Sequence, residues 1–219
     1  MPEEIPLSGR RAQAARNDAL ILDAAREVFV ADPSAPISTV AERAGVGISA
    51  LYRRYPSKEE LLGTLCAIGQ EVYLDEVERA LADDGDRWEA YLTFLRRIVE
   101  ADTHALTVSL AGAFTPTPEH LATAEKMRLL SVKLFERTKA TGKLRRGLTF
   151  LDVGYLLEAL SSLRTNDPAR TNELRQRYLA VLADGLSATE APRLPGRAPT
   201  WAEQSERWVT DESPVLAPS

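Results

Sequence analysis

Ile37-Ser38-Thr39-Val40-Ala41-Glu42-Arg43-Ala44-Gly45-Val46-Gly47-Ile48-Ser49-Ala50-Leu51-Tyr52-Arg53-Arg54-Tyr55-Pro56-Ser57-Lys58 is the stretch on which the fold turns. Ile37, Val40, Ala41 and Ala44 share one face of a short helix, with Pro36 placed for its first turn. Gly45-Val46-Gly47 is a tight turn, and Leu51, Tyr52 and Tyr55 mark a second short helix. Pro56 ends that helix, because a proline biases the residue before it away from the helical region. Two short helices joined by a glycine-containing turn form a helix-turn-helix pattern. Such a pair sets its second helix in a DNA major groove while the first crosses the backbone. Val46 and Leu51 are expected to pack the two helices together.

The charge distribution agrees. From Arg43 to Lys58 there are four basic residues and no acidic one. Arg10–Lys58 carries eight Lys/Arg against five Asp/Glu, a net +3, whereas everything from Glu59 onward carries a net -6. The formal charge of -5 for the 219-residue chain therefore averages a basic head and an acidic remainder. A basic patch on an acidic molecule orients it on DNA.

Outward from this stretch the periodicity stays helical. Upstream, Leu20, Ile21, Ala24, Ala25, Val28 and Phe29 form one apolar stripe, which predicts a helix from about Arg11 to Ala31. Asp32-Pro33-Ser34 breaks it. Downstream, Ser57-Lys58-Glu59-Glu60 reads as a capping box opening a long helix that Asp83-Asp84-Gly85-Asp86 ends. The next helix carries Trp88, Tyr91, Leu92, Leu95, Ile98 and Val99, and Ala105–Phe114 reads as a short apolar helix. Thr117-Pro118 and Asp167-Pro168 are N-cap and N1 pairs. Between them lie one helix ending near Gly142 and another from Thr149 to Arg164; after them comes a last long helix. The tail beyond Ser187 is Pro-rich, and Thr200-Trp201-Ala202-Glu203 predicts one short helix around Trp201 and Trp208.

The reading is thus an all-α chain of about nine helices. Residues 1–58 are expected to be a helix-turn-helix DNA-binding domain with an N-terminal arm. Residues 59–187 are expected to form a helical effector-binding and dimerisation domain, and 188–219 the Pro-rich tail. One cysteine, Cys66, leaves no disulfide framework and no cysteine-based zinc site. Cys66 lies on an apolar stripe and reads as a buried small hydrophobe. Two histidines, His104 and His120, leave no multi-histidine metal site, and both read as polar surface or loop residues. No cofactor, metal or nucleophile–base pair is expected, so the chain does not read as an enzyme. No apolar run approaches the roughly 20 residues that cross a bilayer. Met1–Arg11 lacks the apolar core of a secretory signal, so a cytoplasmic location is expected.

Thr39–Leu62 strongly resembles the DNA-binding domain of the tetracycline-repressor (TetR) family, whose pattern is close to I-A-x-x-A-G-V-S-x-x-x-L-Y-x-x-F-x-S-K-E-x-L-L. Ile21-Leu22-x-Ala24-Ala25-x-x-x-Phe29 is similar to the family's opening helix. The resemblance implies roles by position. Tyr52 and Lys58 would contact phosphates, and Ser38 and Thr39 the DNA backbone. Gly47, Ile48, Ser49, Ala50, Arg53 and Arg54 would occupy the reading helix. Arg10, Arg11 and Arg16 could reach phosphates or the adjacent minor groove. Three positions depart from the family pattern: Ile48 stands where Lys, Gln or Arg is common, Pro36 where Thr is common, and Tyr55 where Phe is usual. An isoleucine cannot hydrogen-bond a base edge, though it can touch a thymine methyl. Base reading would then lean on Ser49, Ala50 and Arg53, and Tyr55 would be a conservative change if its hydroxyl reached solvent.

Trp88, Tyr91, Phe94, Phe114, Met127 and Phe135 either line a ligand cavity between the middle helices or pack an ordinary core. The last two long helices are apolar on wide faces and need partners on several sides. The resemblance implies that they pair with a second copy across a two-fold axis, with Leu156, Leu160, Leu163, Tyr178 and Leu182 as candidates. The expected function is a DNA-binding transcriptional regulator, a repressor released from a palindromic double-stranded operator by a small-molecule effector and acting as a homodimer. The alternatives are a helical DNA-binding regulator without a small-molecule effector, and a dimeric interaction module.

Overall fold

The local signals place most helix ends. In the computed structural model, which describes residues 9–103, 110, 112–187 and 189–205, nine helices and no strand are present among the described residues. They are α1 (Gly9–Ala31), α2 (Ile37–Ala44), α3 (Ile48–Arg54), α4 (Lys58–Ala82) and α5 (Arg87–Glu100). After these come α6 (Pro118–Lys139), α7 (Phe150–Ser161), α8 (Pro168–Ser187) and α9 (Trp201–Ser205). The Ala105–Phe114 segment lies mostly outside the described residues, as do His104 and Trp208.

Capping side chains set the starts. Ser57 accepts the Glu60 N–H at 3.1 Å, and Asp86 accepts the N–H groups of Trp88 and Glu89. Thr117 begins α6 with Pro118 behind it, and His120 supplies the reciprocal bond that Glu or Gln usually makes. Thr149 and Asp152 form a second capping box, and Thr200 and Glu203 exchange the same bonds ahead of α9. Pro36 stands one position earlier than expected. It is the N-cap residue of α2, in extended geometry, and the helix starts at Ile37. Gly45, at φ 65, closes α2 in the left-handed conformation that glycine adopts without a steric penalty.

Two hydrophobic cores result. The head core gathers Ile21, Ala25 and Phe29 of α1, Ile37 and Val40 of α2, and Leu51 of α3, with Leu61, Leu62 and Leu65 of α4. Packing therefore continues past residue 58 into α4. Leu110, Ala113 and Phe114 also belong to this core, so a segment from beyond α5 plugs into the head. The body core is built from Trp88, Tyr91, Phe94, Leu95 and Ile98 of α5, Phe135 of α6, Leu157 and Leu160 of α7, and Leu179 and Leu186 of α8. α4 spans both cores and lies against α5 and α6. The Pro-rich segment folds back on the body. Leu194 packs against its core, Pro192 accepts a bond from Arg145, and Trp201 lies under the Arg128 guanidinium at 5.3 Å.

Candidate nucleic-acid interface

α3 is seven residues long and has two sides. Leu51 is fully buried against the head core. Ile48, Ser49, Tyr52 and Arg53 follow the i, i+1, i+4, i+5 spacing that lines one helix face, and all four are exposed. Gly47, the N-cap residue ahead of them, is exposed too, and so is Ser38 at the start of α2; Thr39 is half-buried. The tight Gly45–Gly47 turn, closed by the Val46 N–H donating to the Ala41 carbonyl at 3.0 Å, fixes α3 against α2. Arg16 is exposed on α1 and donates to Gln13 at 2.7 Å. Arg10 and Arg11 lie in the first turn of α1, and their side chains fall outside the described residues.

Two of the sequence candidates are engaged elsewhere in this structure and a third is turned from the exposed face. Arg54 points back to α1, where its Nε lies 2.7 Å from an Asp18 carboxylate oxygen and a second guanidinium nitrogen donates at 3.1 Å. That bond holds the Arg54 guanidinium above its ordinary pKa. Lys58 donates to the carbonyls of Pro33 and Ala35 at 2.7 and 2.8 Å, and its ammonium sits over the Phe29 ring. Two of its three donors thus tie the α1–α2 loop to the start of α4, leaving one for a phosphate. Ala50 is half-buried, off the exposed face.

The Tyr55 hydroxyl does not reach solvent. The residue is 1% exposed and its hydroxyl donates to Asp18 at 2.8 Å. Burial first, and the Asp18 bond second, push its pKa well above the ordinary tyrosine value. Asp18 thus gathers Arg54 and Tyr55 onto α1, a role that its sequence context does not signal because 36 residues separate it from Arg54. Arg43, similarly, pairs with Glu27 at 2.5 Å. Arg53, by contrast, has no side-chain partner among the described residues.

The body candidates separate into groups. Trp88, Tyr91, Phe94 and Phe135 are all buried and pack ring against ring, with Tyr91 centred among them at centroid distances of 6.2–6.4 Å. Phe114 does not join them; it belongs to the head core, edge-on to His120 at 5.6 Å. Met127 is half-buried on α6. Instead, a small cavity opens where Ile98, Val99, Leu157 and Leu160 meet Asp102 and Arg175. Arg175 is buried, paired with Asp102 at 2.6 Å and donating to the carbonyls of Ser161 and Leu163. On the outer face of α8, Tyr178 and Val181 are 46% and 63% exposed. Leu156, Leu163 and Leu182 are half-buried, but Leu160 is taken by its own chain's core. Val181 was missing from the sequence candidates, although it lies on the same stripe as Tyr178.

His120 is more than a surface residue. One ring nitrogen bonds the Thr117 N–H at 3.1 Å and the other bonds the Gly63 carbonyl at 3.0 Å, joining α6 to α4. Burial pushes the Cys66 thiol up to about 11, which keeps it protonated and unreactive at neutral pH. No described helix is long and apolar enough to cross a membrane.

The family described as "Bacterial regulatory proteins, tetR family" matches residues 21–65, and "Transcriptional regulator SbtR-like, C-terminal domain" matches residues 86–188. The chain is 36% identical over 110 residues to the HTH-type transcriptional repressor LfrR of Mycolicibacterium smegmatis, a stretch covering 50% of this chain and 54% of that relative. The chain therefore matches only about half the length of that curated relative. Among solved structures, LfrR from Mycobacterium smegmatis in complex with proflavine shares the fold at a TM-score of 0.61 and 23% identity, over 82% of this chain and 99% of that one. A TetR transcription regulatory protein from Mycobacterium vanbaalenii matches at a TM-score of 0.51 and 26% identity, over 81% of this chain and 99% of that one. Since the two family matches together span more than half of its residues, one in the head and one in the body, the chain belongs to the TetR family of bacterial transcriptional regulators.

Proposed function

We propose that this chain is a transcriptional repressor that binds a palindromic operator as a homodimer and leaves it when a small molecule binds the body. The observation that carries the DNA-binding part is the exposed face of α3, where Tyr52 and Arg53 have no side-chain partner among the described residues while Arg43, Arg54 and Lys58 are engaged within the protein. A phenol and an unpaired guanidinium on a short helix suit phosphate and base-edge contacts in a major groove. Two copies would set their α3 helices about one DNA turn apart, ~34 Å. Tyr178 and Val181 of α8, flanked by the half-buried Leu156 and Leu182, supply the apolar face for that pairing. LfrR, the similar protein named above, is described as a repressor and has been solved with proflavine. The cytoplasm, where the operator lies, is the location this function requires.

A second reading, a DNA-binding regulator without a small-molecule effector, draws on one observation: the four body aromatics already fill the space between their helices. A ligand would have to part those rings. The two readings are separated by a thermal-shift screen that begins with proflavine, followed by operator release with any compound that stabilises the chain.

DNA binding is tested by fluorescence anisotropy with duplex from the chain's own upstream region. Specific binding should weaken steeply with salt, because phosphate contacts release counterions. Tyr52→Phe combined with Arg53→Ala should abolish it while the thermal melt stays unchanged, since neither side chain supports the core. A double variant that binds as tightly as the parent sinks the reading.

A further inference from the structure

One face of α3 presents four side chains to solvent, Ile48, Ser49, Tyr52 and Arg53, and they are not equivalent. Ser49, Tyr52 and Arg53 carry polar groups that water satisfies. Ile48 does not. It is 40% exposed in the first turn of α3 and belongs to neither core, although the same helix buries Leu51 completely. Beside it stands Gly47, whose φ of -65 is open to any residue. A Cβ built on Gly47 would meet nothing within 4 Å. Neither the backbone nor the packing of this chain therefore calls for glycine there, and Ser, Asn or Asp would cap the helix better. A bare glycine next to an uncovered isoleucine permits close approach of another surface. It lies at the helix end that meets base edges in helix-turn-helix complexes. The major-groove edge offers one apolar group, the C5-methyl of thymine. Arg54, the other long side chain at the far end of α3, is withdrawn by Asp18 and does not compete for that edge.

We infer that Ile48 reads a thymine in each operator half-site by packing on its C5-methyl group, with Gly47 leaving room for the approach. The inference rests on the DNA-binding reading of α3. It assigns to an apolar contact part of the selectivity that hydrogen bonding alone would otherwise supply, and it removes Ala50 and Arg54 from the base-reading set.

The test uses the full chain and a duplex enriched from a randomised pool. Each thymine of that duplex is replaced in turn, in both half-sites, by uracil. The change removes the methyl group and keeps every hydrogen-bonding atom. At one symmetric thymine position, uracil should weaken binding about fourfold per half-site, the equivalent of about 0.8 kcal/mol for one buried methyl group. The Ile48→Ala variant, altered only at an exposed position, should lose most of that thymine preference. If every thymine tolerates uracil in the parent protein, the inference is overturned without recourse to any variant. Full retention of the preference in Ile48→Ala overturns it equally. A pool from which no duplex is enriched removes the DNA-binding reading itself, and the inference falls with it.

Discussion

Asp18 shows how one side chain decides what its neighbours are free to do. Its carboxylate accepts from Tyr55 and pairs with Arg54, so it both satisfies a buried hydroxyl and takes a cation out of the reading set. The ion pair is more than half exposed on the arginine side and contributes little by itself. The buried hydroxyl matters more. Asp18→Ala should cost about 1–3 kcal/mol in urea unfolding, because it leaves the Tyr55 hydroxyl without a partner. Adding Tyr55→Phe to that variant should recover much of the loss, since removing both partners of a buried bond is far cheaper than removing one. A double variant no more stable than Asp18→Ala would show that the loss comes from the exposed ion pair instead. The sequence displays Tyr55 as a departure from the family pattern, but nothing near it in the chain names Asp18 as the reason it is tolerated.

At the scale of helices, what could be read in advance is what local chemistry controls. Ser57, Thr117-Pro118, Asp167-Pro168 and Thr200 announce helix starts because a cap bonds within three residues of itself. The exposed residues of α3 were equally legible from the motif and its spacing. Lys58 and Arg54 were legible as cations but not as engaged ones, because their partners lie 23 to 36 residues away. Leu160, a dimer candidate, is likewise held in its own chain's core, most of whose other members lie far from it in sequence. A cap also gives a pH signature. The Lys143 ammonium, with the N–H groups of Trp88 and Glu89, holds the Asp86 carboxyl below the usual carboxylate range. A lowered folded pKa contributes stability that is present above the unfolded value of ~3.9 and is lost as pH falls through the folded one. The difference in Tm between the parent and Asp86→Ala should therefore hold steady from pH 7 to about 5 and shrink below about 4. A difference that persists undiminished to about pH 2 would show that the charge of Asp86 is not what α5 uses.

Across the whole molecule, the head and the body share α4 and the segment that returns after α5. Arg26 of α1 donates to the Ala101 carbonyl at the end of α5, Glu59 accepts the Thr115 N–H, and His120 bonds Gly63. Leu110, Ala113 and Phe114 complete the head core from outside the helix-turn-helix. The head is thus joined to α5 and α6 through packed side chains and hydrogen bonds as well as through the chain connection in α4. The charge division runs the same way, with a net +3 for Arg10–Lys58 and a net -6 from Glu59 onward. The packing makes a prediction that a free-standing head would not share. Phe114 lies in a body segment yet supports the head, so Phe114→Ala should open a gap in the head core. The half-buried ring sets the expected cost at about 1–3 kcal/mol, less than for a fully buried phenylalanine. Amide hydrogen exchange localises the effect. Protection should fall in α1, α2 and α3, while amides of α7 and α8 around Leu157 and Leu179 keep theirs. Loss of protection confined to α6, with the head unchanged, would show that the head core closes without the returning segment and that the two parts of the chain are coupled only through α4.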